Sequence, residues 1–341
     1  MGRNNMDKNF KVIVTISDAL TSSADKLKKI DYYGNCIYRI NGAHVDVSSL
    51  PVIINNLRTI LQNPKIILDL PGNKIRTNDL SDPIRLVKNE IFKLYNYQVN
   101  YLSFFSHLKA GDLILANDSN ISLEIKEVNN SNIVILSHSD GLLQNNKGLH
   151  VQDIHKDIPF FFQKDIEFIQ IACKEKLDYI SLSFVRTHED IKEAKKVIAR
   201  NQGEAIQIIA KIETALAVEN LGKIFEEIEY VNIDRGDLST DVGLLNLPAI
   251  QTHIIKSANE AGKSIFLATQ FLKNMENNPV PLISEIVDLY RTIKSGITGI
   301  QLSEETAIGK YPVECVKLVF DVFSKLGQNL KYTGEVNEIK R

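Results

Sequence analysis

Cysteine is scarce in this sequence, three in 341 residues, and tryptophan is absent. Cys36, Cys173 and Cys315 lie far apart and are odd in number. That argues against a disulfide framework and a cysteine zinc site, and fits a reducing compartment with three buried core thiols. No apolar run approaches the roughly 20 residues of a membrane span, so no membrane partner is expected. The opening MGRNNMDKNFK lacks the apolar h-region of a secretory leader, so a cytoplasmic location is expected. Met1-Gly2 superficially opens a myristoylation pattern, but Met6 stands where Ser or Thr is wanted. An excess of charge is missing too. The formal net charge is −2, and no basic run is interleaved with aromatics, so no nucleic-acid partner is expected. Repeats at solenoid periods and low-complexity tracts are also absent.

What is present is alternation. Short continuous apolar runs fall at Lys11–Ile16, Cys36–Ile40, Lys65–Asp69, Tyr179–Ser183, Ile206–Lys211, Tyr230–Ile233, Ser264–Leu267 and Gly299–Leu302. Such runs read as parallel strands buried on both faces. Amphipathic helical patterns lie between them, among them His188–Arg200, Leu247–Ala261 and Ile283–Ser295. Eight such units favour a closed (β/α)8 TIM barrel over an open sheet. One long gap separates the third run from the fourth. Inside it Leu113–Leu115, Ser122–Ile125 and Asn132–Leu136 are short and flanked by Gly111-Asp112, Asn117-Asp118 and Asn129–Asn132, which is antiparallel hairpin spacing. The expected organisation is a barrel over 1–72 and 155–330, a small inserted β-barrel lid over 73–154, and a polar tail over 331–341.

Barrel active sites sit at the C-terminal ends of the strands. Those ends carry Arg39 and Asn41, Asp69, Lys211 and Glu213, Asp237, Thr269 and Gln270, and Glu304 with Glu305. Glu213 and Asp237 arrive from adjacent strands, and paired carboxylates suit a hard divalent cation such as Mg2+ or Mn2+. Lys211 and Glu213 are two apart in AKIET, so both face one side of their strand. A lysine beside such a metal can steady charge on a phosphoryl group or an enolate oxygen.

These residues sit in motifs that resemble the pyruvate kinase family over nearly the whole chain, in the family's order. ILDLPGNKIRTN resembles the entry to the lid domain and NNKG (145–148) the exit. AKIET resembles the stretch with the phosphoryl-contacting lysine, DRGDLS the metal-binding loop, and LATQFL and LSEETAIGKYP the last two strand ends. The resemblance implies that Lys211 contacts the transferring phosphoryl group, Arg39 binds phosphate, and Thr269 sits beside the enolate carbon. It implies that Glu213 and Asp237 bind the metal. It places Arg235, Gly236 and Asp237 at the substrate carboxylate through their backbone amides, with Asn41 and Lys74 nearby. Arg76, Lys147 and His44 fall at nucleotide phosphates. The implied substrates are phosphoenolpyruvate or pyruvate with ADP or ATP, in a homo-oligomer. No counterpart of the family's regulatory C-terminal domain is seen, so sugar-phosphate allostery of the family's kind is not expected.

Several positions depart from the family pattern. Asn41 and Asp69 of its potassium site remain, but Ala43 and Leu70 replace a Ser and a Thr, and Lys74 replaces a Glu. Potassium-independent members carry this Leu and Lys, and an ammonium at Lys74 can stand in for the cation. Asp234 adds negative charge beside an anion-binding nest and should weaken anion binding unless a cation compensates. Glu304 replaces a glycine, Ser239-Thr240-Asp241 replaces an apolar continuation, PLISE (281–285) lacks the family's Thr and Arg, and His150, Gln152 and Asp153 alter the lid exit. Two readings follow: a pyruvate kinase-like phosphotransferase, or a specialised biosynthetic paralogue using the same metal–enolate site as a lyase, decarboxylase or transferase.

Overall fold

The computed structural model describes residues 10–117, 120–152, 154–156 and 158–326. The polar tail at 331–341, Met1, Gly2, Met6, Asp118 and Asp153 lie outside the described residues. Among the described residues fifteen strands occur in chain order. The first three are β1 (Lys11–Thr15), β2 (Cys36–Asn41) and β3 (Lys65–Asp69). Then come β4 (Ile84–Leu86), β5 (Ile91–Tyr95), β6 (Leu113–Ala116), β7 (Ile121–Val128), β8 (Asn132–Ser137), β9 (Gly141–Leu143) and β10 (Leu149–Val151). The last five are β11 (Tyr179–Leu182), β12 (Gln207–Ile212), β13 (Tyr230–Asp234), β14 (Ser264–Ala268) and β15 (Gly299–Leu302).

β1–β3 and β11–β15 close into a parallel eight-stranded barrel in the order β1-β15-β14-β13-β12-β11-β3-β2. The reason is side-chain alternation. Ile13, Ile37, Ile67, Ile209 and Phe266 point inward and form one buried cluster. Their neighbours Val12, Val14, Tyr38, Leu68, Ala210 and Leu267 point outward into the much larger layer shared with the helices. Two residues further along each strand the inward direction recurs, now at the C-terminal mouth. Thus Ile37 is followed by Arg39, Ile67 by Asp69, and Ile209 by Lys211. Periodicity alone therefore carries the charged side chains to the mouth. The barrel floor is tight: a Cβ on Gly299 would lie 2.3 Å from the Lys11 carbonyl and 2.8 Å from the Phe266 ring, which explains glycine there.

Between β3 and β11 the chain forms a five-stranded antiparallel sheet in the order β10-β6-β7-β8-β5, plus the ribbon β4-β9. It has its own core of Leu94, Phe104, Ile114, Leu123, Ile125, Ile133 and Ile135. β8 alternates strictly between half-buried and buried residues, as one-sided sheets do. The helices expected at His188–Arg200, Leu247–Ala261 and Ile283–Ser295 occur at His188–Arg200, Leu247–Glu260 and Ile283–Lys294. Among the described residues no helix is long and apolar enough to cross a membrane. All three cysteines are free and buried.

The two crossings between barrel and sheet meet at one buried side chain. Asp165 accepts the Gly72 N–H on Oδ1 and the Phe162 N–H on Oδ2, each at 2.9 Å. Burial outweighs these donors and the nearby Lys164 and pushes its carboxyl up from 3.8 to about 6. The folded state therefore binds the proton more tightly than the unfolded chain. Stability from this group is full below about pH 4 and falls as pH rises through about 6. Urea unfolding across that range should show the fall, and Asp165→Asn should remove this component while adding a constant loss for one unpaired N–H. An unchanged pH slope in the variant would show that Asp165 does not carry it.

Candidate active site at the barrel mouth

A cleft of about 360 Å³ opens where the barrel mouth faces the antiparallel segment. Its barrel wall carries Arg39, Asn41, His44, Asp69, Lys211, Asp234, Gly236, Asp237 and Thr269, and the facing wall carries Lys74, Arg76, Asn146, Lys147 and Gly148. Lys211 stands at its centre. Its Nζ lies 2.6 Å from Glu213 Oε1, 3.5 Å from Asp234 Oδ2 and 3.6 Å from Asp69 Oδ2. It also donates to Ser183 Oγ at 3.3 Å. Burial by itself would lower this lysine, but Asp69, Glu213 and Asp234 outweigh it and hold the pKa above the ordinary lysine value. The ammonium is thus charged at every physiological pH.

Glu213 is completely buried. Its Oε2 accepts the Phe184 N–H at 2.7 Å. Its Oε1 is close to Lys211 yet lies outside any hydrogen-bonding direction. Burial drives the carboxyl up to about 8 against the pull of Lys211, and the Asp237 charge adds to the rise. Asp237 behaves oppositely. Burial alone would raise it, but Lys74 and Lys211 bring it down to about 2. Lys74 Nζ pairs with Asp237 Oδ1 at 2.5 Å, a contact across 163 residues of chain. Gly148 makes room for that lysine: a Cβ there would sit 2.6 Å from Lys74 Cε. Arg39 is buried against Asp69, with Nε at 2.7 Å and Nη2 at 2.6 Å, and donates to Thr15 Oγ1 at 2.8 Å. Asp69 is fully buried, yet Lys211 and Arg39 hold its carboxyl below the usual range. His44 is lowered by burial and then by Arg76 and Arg39.

Asp234 caps the helix Arg235–Val242, and its position differs from a simple repulsive charge. Oδ1 accepts the Thr269 hydroxyl at 2.6 Å and the Gly236 N–H at 3.2 Å. The compensating cation is Lys211. Arg235 is turned away from the cleft: its guanidinium lies 4.1 Å from the centroid of Phe271, pairs with Asp288 at 2.7 Å and donates to the Thr269 carbonyl. Thr269 and Gln270 follow one another at φ +81° and +57°. A β-branched residue with positive φ is a backbone outlier, and its place at the mouth marks strain held by the surrounding fold.

The strand-end residues are thus mostly brought together, with two exceptions. Arg235 faces outward, and Glu305 is a buried structural acceptor for the N–H groups of Ser303, Phe271 and Leu272. Glu304 does line the cleft. Ser183, Phe184, Asn146 and Lys273 were not singled out by sequence reasoning and also line it. Ser183 ends the expected strand Tyr179–Ser183, so the strand-end rule could have found it; Asn146 lies within the NNKG stretch, whereas Phe184 on a turn and Lys273 at the start of a short 3-10 helix carry no local signal.

The residues present fit a divalent cation. Glu213, Asp234 and Asp237 each bring one oxygen within 4.8 Å of the others, and Glu213 Oε1 is a buried oxygen without a hydrogen bond. All donors are hard carboxylate oxygens, as Mg2+ and Mn2+ prefer. A carboxylate cluster able to hold such a cation, an ammonium beside it and a basic wall opposite suit the binding of phosphoryl oxygens. Fold and site together define a closed β/α-barrel with a metal-competent mouth.

Comparison with known proteins narrows that class. The pyruvate kinase barrel domain matches residues 7–316. The pyruvate kinase of Methanocaldococcus jannaschii is 31% identical over 338 residues, covering 97% of this chain and 72% of that enzyme. Those of Thermotoga maritima and Clostridium acetobutylicum are each 30% identical, covering 95% and 88% of this chain and 72% and 66% of the respective enzymes. The chain belongs to the pyruvate kinase family.

Proposed function

We propose that the chain is a pyruvate kinase-like phosphotransferase that moves a phosphoryl group between an enol phosphate of the phosphoenolpyruvate class and a nucleotide. The observation that carries this reading is Lys211, a buried and permanently charged ammonium within 2.6 Å of Glu213 and 3.5 Å of Asp234. Phosphoryl transfer needs positioning and charge neutralisation more than covalent chemistry. Lys211 neutralises the phosphoryl oxygens, and Arg39, fixed by Asp69 and Thr15, binds phosphate from the neighbouring strands. Thr269 holds a hydroxyl at the enolate carbon, with Asp234 as its proton acceptor partner. Gly236, Asp237, Asn41 and Lys74 contact the substrate. Arg76 and Lys147, on the segment 73–154 acting as a lid, and His44 receive the nucleotide phosphates. Arg235 contributes through its backbone and by fixing the Thr269 carbonyl. Glu213 and Asp237 would hold Mg2+ or Mn2+, which when bound supplies Lewis-acid polarisation of phosphoryl and enolate oxygens. A coupled assay with phosphoenolpyruvate, ADP and Mg2+ tests the reading: pyruvate should form. Silence in that assay, with Mg2+ bound, would shift the reading to a paralogue acting on a substrate without the carboxylate. The one feature favouring that second reading is Asp234, which already occupies the Gly236 N–H.

Lys74 replaces the monovalent cation in this proposal, since it places a fixed positive charge on Asp237 at 2.5 Å. Exchanging potassium for tetramethylammonium should therefore leave the rate nearly unchanged. Lys74→Glu should lose about 10²-fold in turnover, the scale of losing one preorganised electrostatic contact, with potassium restoring part of it. Strong potassium dependence of the unmodified enzyme would refute the role given to Lys74.

A further inference from the structure

We infer that Asp234 is a third carboxylate ligand for the divalent cation, so that this chain holds its metal with Glu213, Asp234 and Asp237. The inference rests on the metal reading above. Three observations carry it. The first is register. β12 and β13 pair with Ile212 opposite Ile233. One step further the same pairing sets Glu213 beside Asp234, and Asp237 returns to the same place in the first turn of the following helix. The three residues thereby bring one oxygen each within 4.8 Å of the others.

The second is the division of labour within the Asp234 carboxylate. Oδ1 is taken by the Thr269 hydroxyl and the Gly236 N–H. Those two donors fix the rotation of the group and direct Oδ2 toward Lys211, at 3.5 Å and without a hydrogen bond among the described residues. Lys211 is itself 2.6 Å from Glu213 Oε1. Oδ2 of Asp234 and the hydrogen-bond-free Oε1 of Glu213 therefore flank one ammonium.

The third is charge. Asp69 is matched by Arg39. Glu213 and Asp234 pair with Lys211, Asp237 pairs with Lys74, and Arg76 adds positive charge near Asp237. Glu213 and Asp234 thus share one ammonium. A divalent cation suits such a crowding of carboxylate oxygens, and each added carboxylate strengthens a hard-cation site. A third protein oxygen also displaces one water from the ion.

The test is Mn2+ binding to the full chain, without substrate. Free Mn2+ is read by electron paramagnetic resonance, and the water on bound Mn2+ by proton relaxation. Asp234→Ala should weaken Mn2+ binding by about tenfold or more, the scale on which ligand-shell changes act, and should raise the relaxation enhancement per bound ion as water fills the vacated position. Asp234→Asn, closer in shape, should fall between; it carries the test if the alanine variant loses its circular dichroism. Unchanged affinity and enhancement in both variants would overturn the inference while leaving the two-carboxylate metal reading standing. Failure of the unmodified chain to bind Mn2+, or undiminished binding by Glu213→Gln, would overturn both.

Discussion

Glu213→Gln is expected to lower turnover by about 10³-fold or more, because on the proposed reading it removes a carboxylate ligand of the divalent cation. The fold should survive. Glutamine can still accept the Phe184 N–H, and burial already disfavours the charge that it removes, pushing the carboxyl to about 8. Thermal stability should therefore stay equal or rise while activity disappears. Asp237→Asn should be as inactive, with a different structural cost, since it releases Lys74 from its partner. Steady-state rates together with unfolding temperatures check both. Full activity of either variant, or of the unmodified enzyme in excess chelator, would refute the metal reading.

Lys211→Met is expected to be the most damaging single substitution for the site as a whole. It removes the ammonium that stands between Glu213, Asp234 and Asp69. A buried ion cluster that loses one partner typically costs about 3–5 kcal/mol, because charges are left unmatched. Catalysis should fall by a further ~10²–10³-fold, as for any preorganised group aimed at developing charge. The two effects separate with Lys211→Arg, which keeps the charge and should recover stability more than rate. Urea unfolding and single-turnover measurements distinguish them. A methionine variant as stable as the parent would show that the carboxylates do not depend on Lys211.

Much of this was legible in the chain without coordinates. The eight apolar runs coincide with the barrel strands to within one or two residues at their ends. The reason is that a strand buried on both faces needs a continuous apolar run, and few other elements produce one of that length. The i, i+2 rule put Lys211 and Glu213 on one side of β12, because strand alternation is a backbone property independent of context. The antiparallel segment announced itself through turn residues for the same local reason. Depth was not legible: Glu213 is completely buried, and linear position along a strand says nothing about burial.

Tertiary structure alone decided the partners. Nothing local says that Lys74 meets Asp237 across 163 residues, that Arg235 turns outward onto Phe271 and Asp288, or that one buried Asp165 secures both crossings. Asp234 shows the difference best. In the chain it is an extra negative charge beside an anion-binding nest. In the closed barrel it is a cap for Gly236, an acceptor for Thr269 and a neighbour of Lys211. Backbone periodicity settles which way a side chain points. Whether a charge repels or binds depends on what closure brings opposite it, because Coulomb energies follow distance through space rather than along the chain.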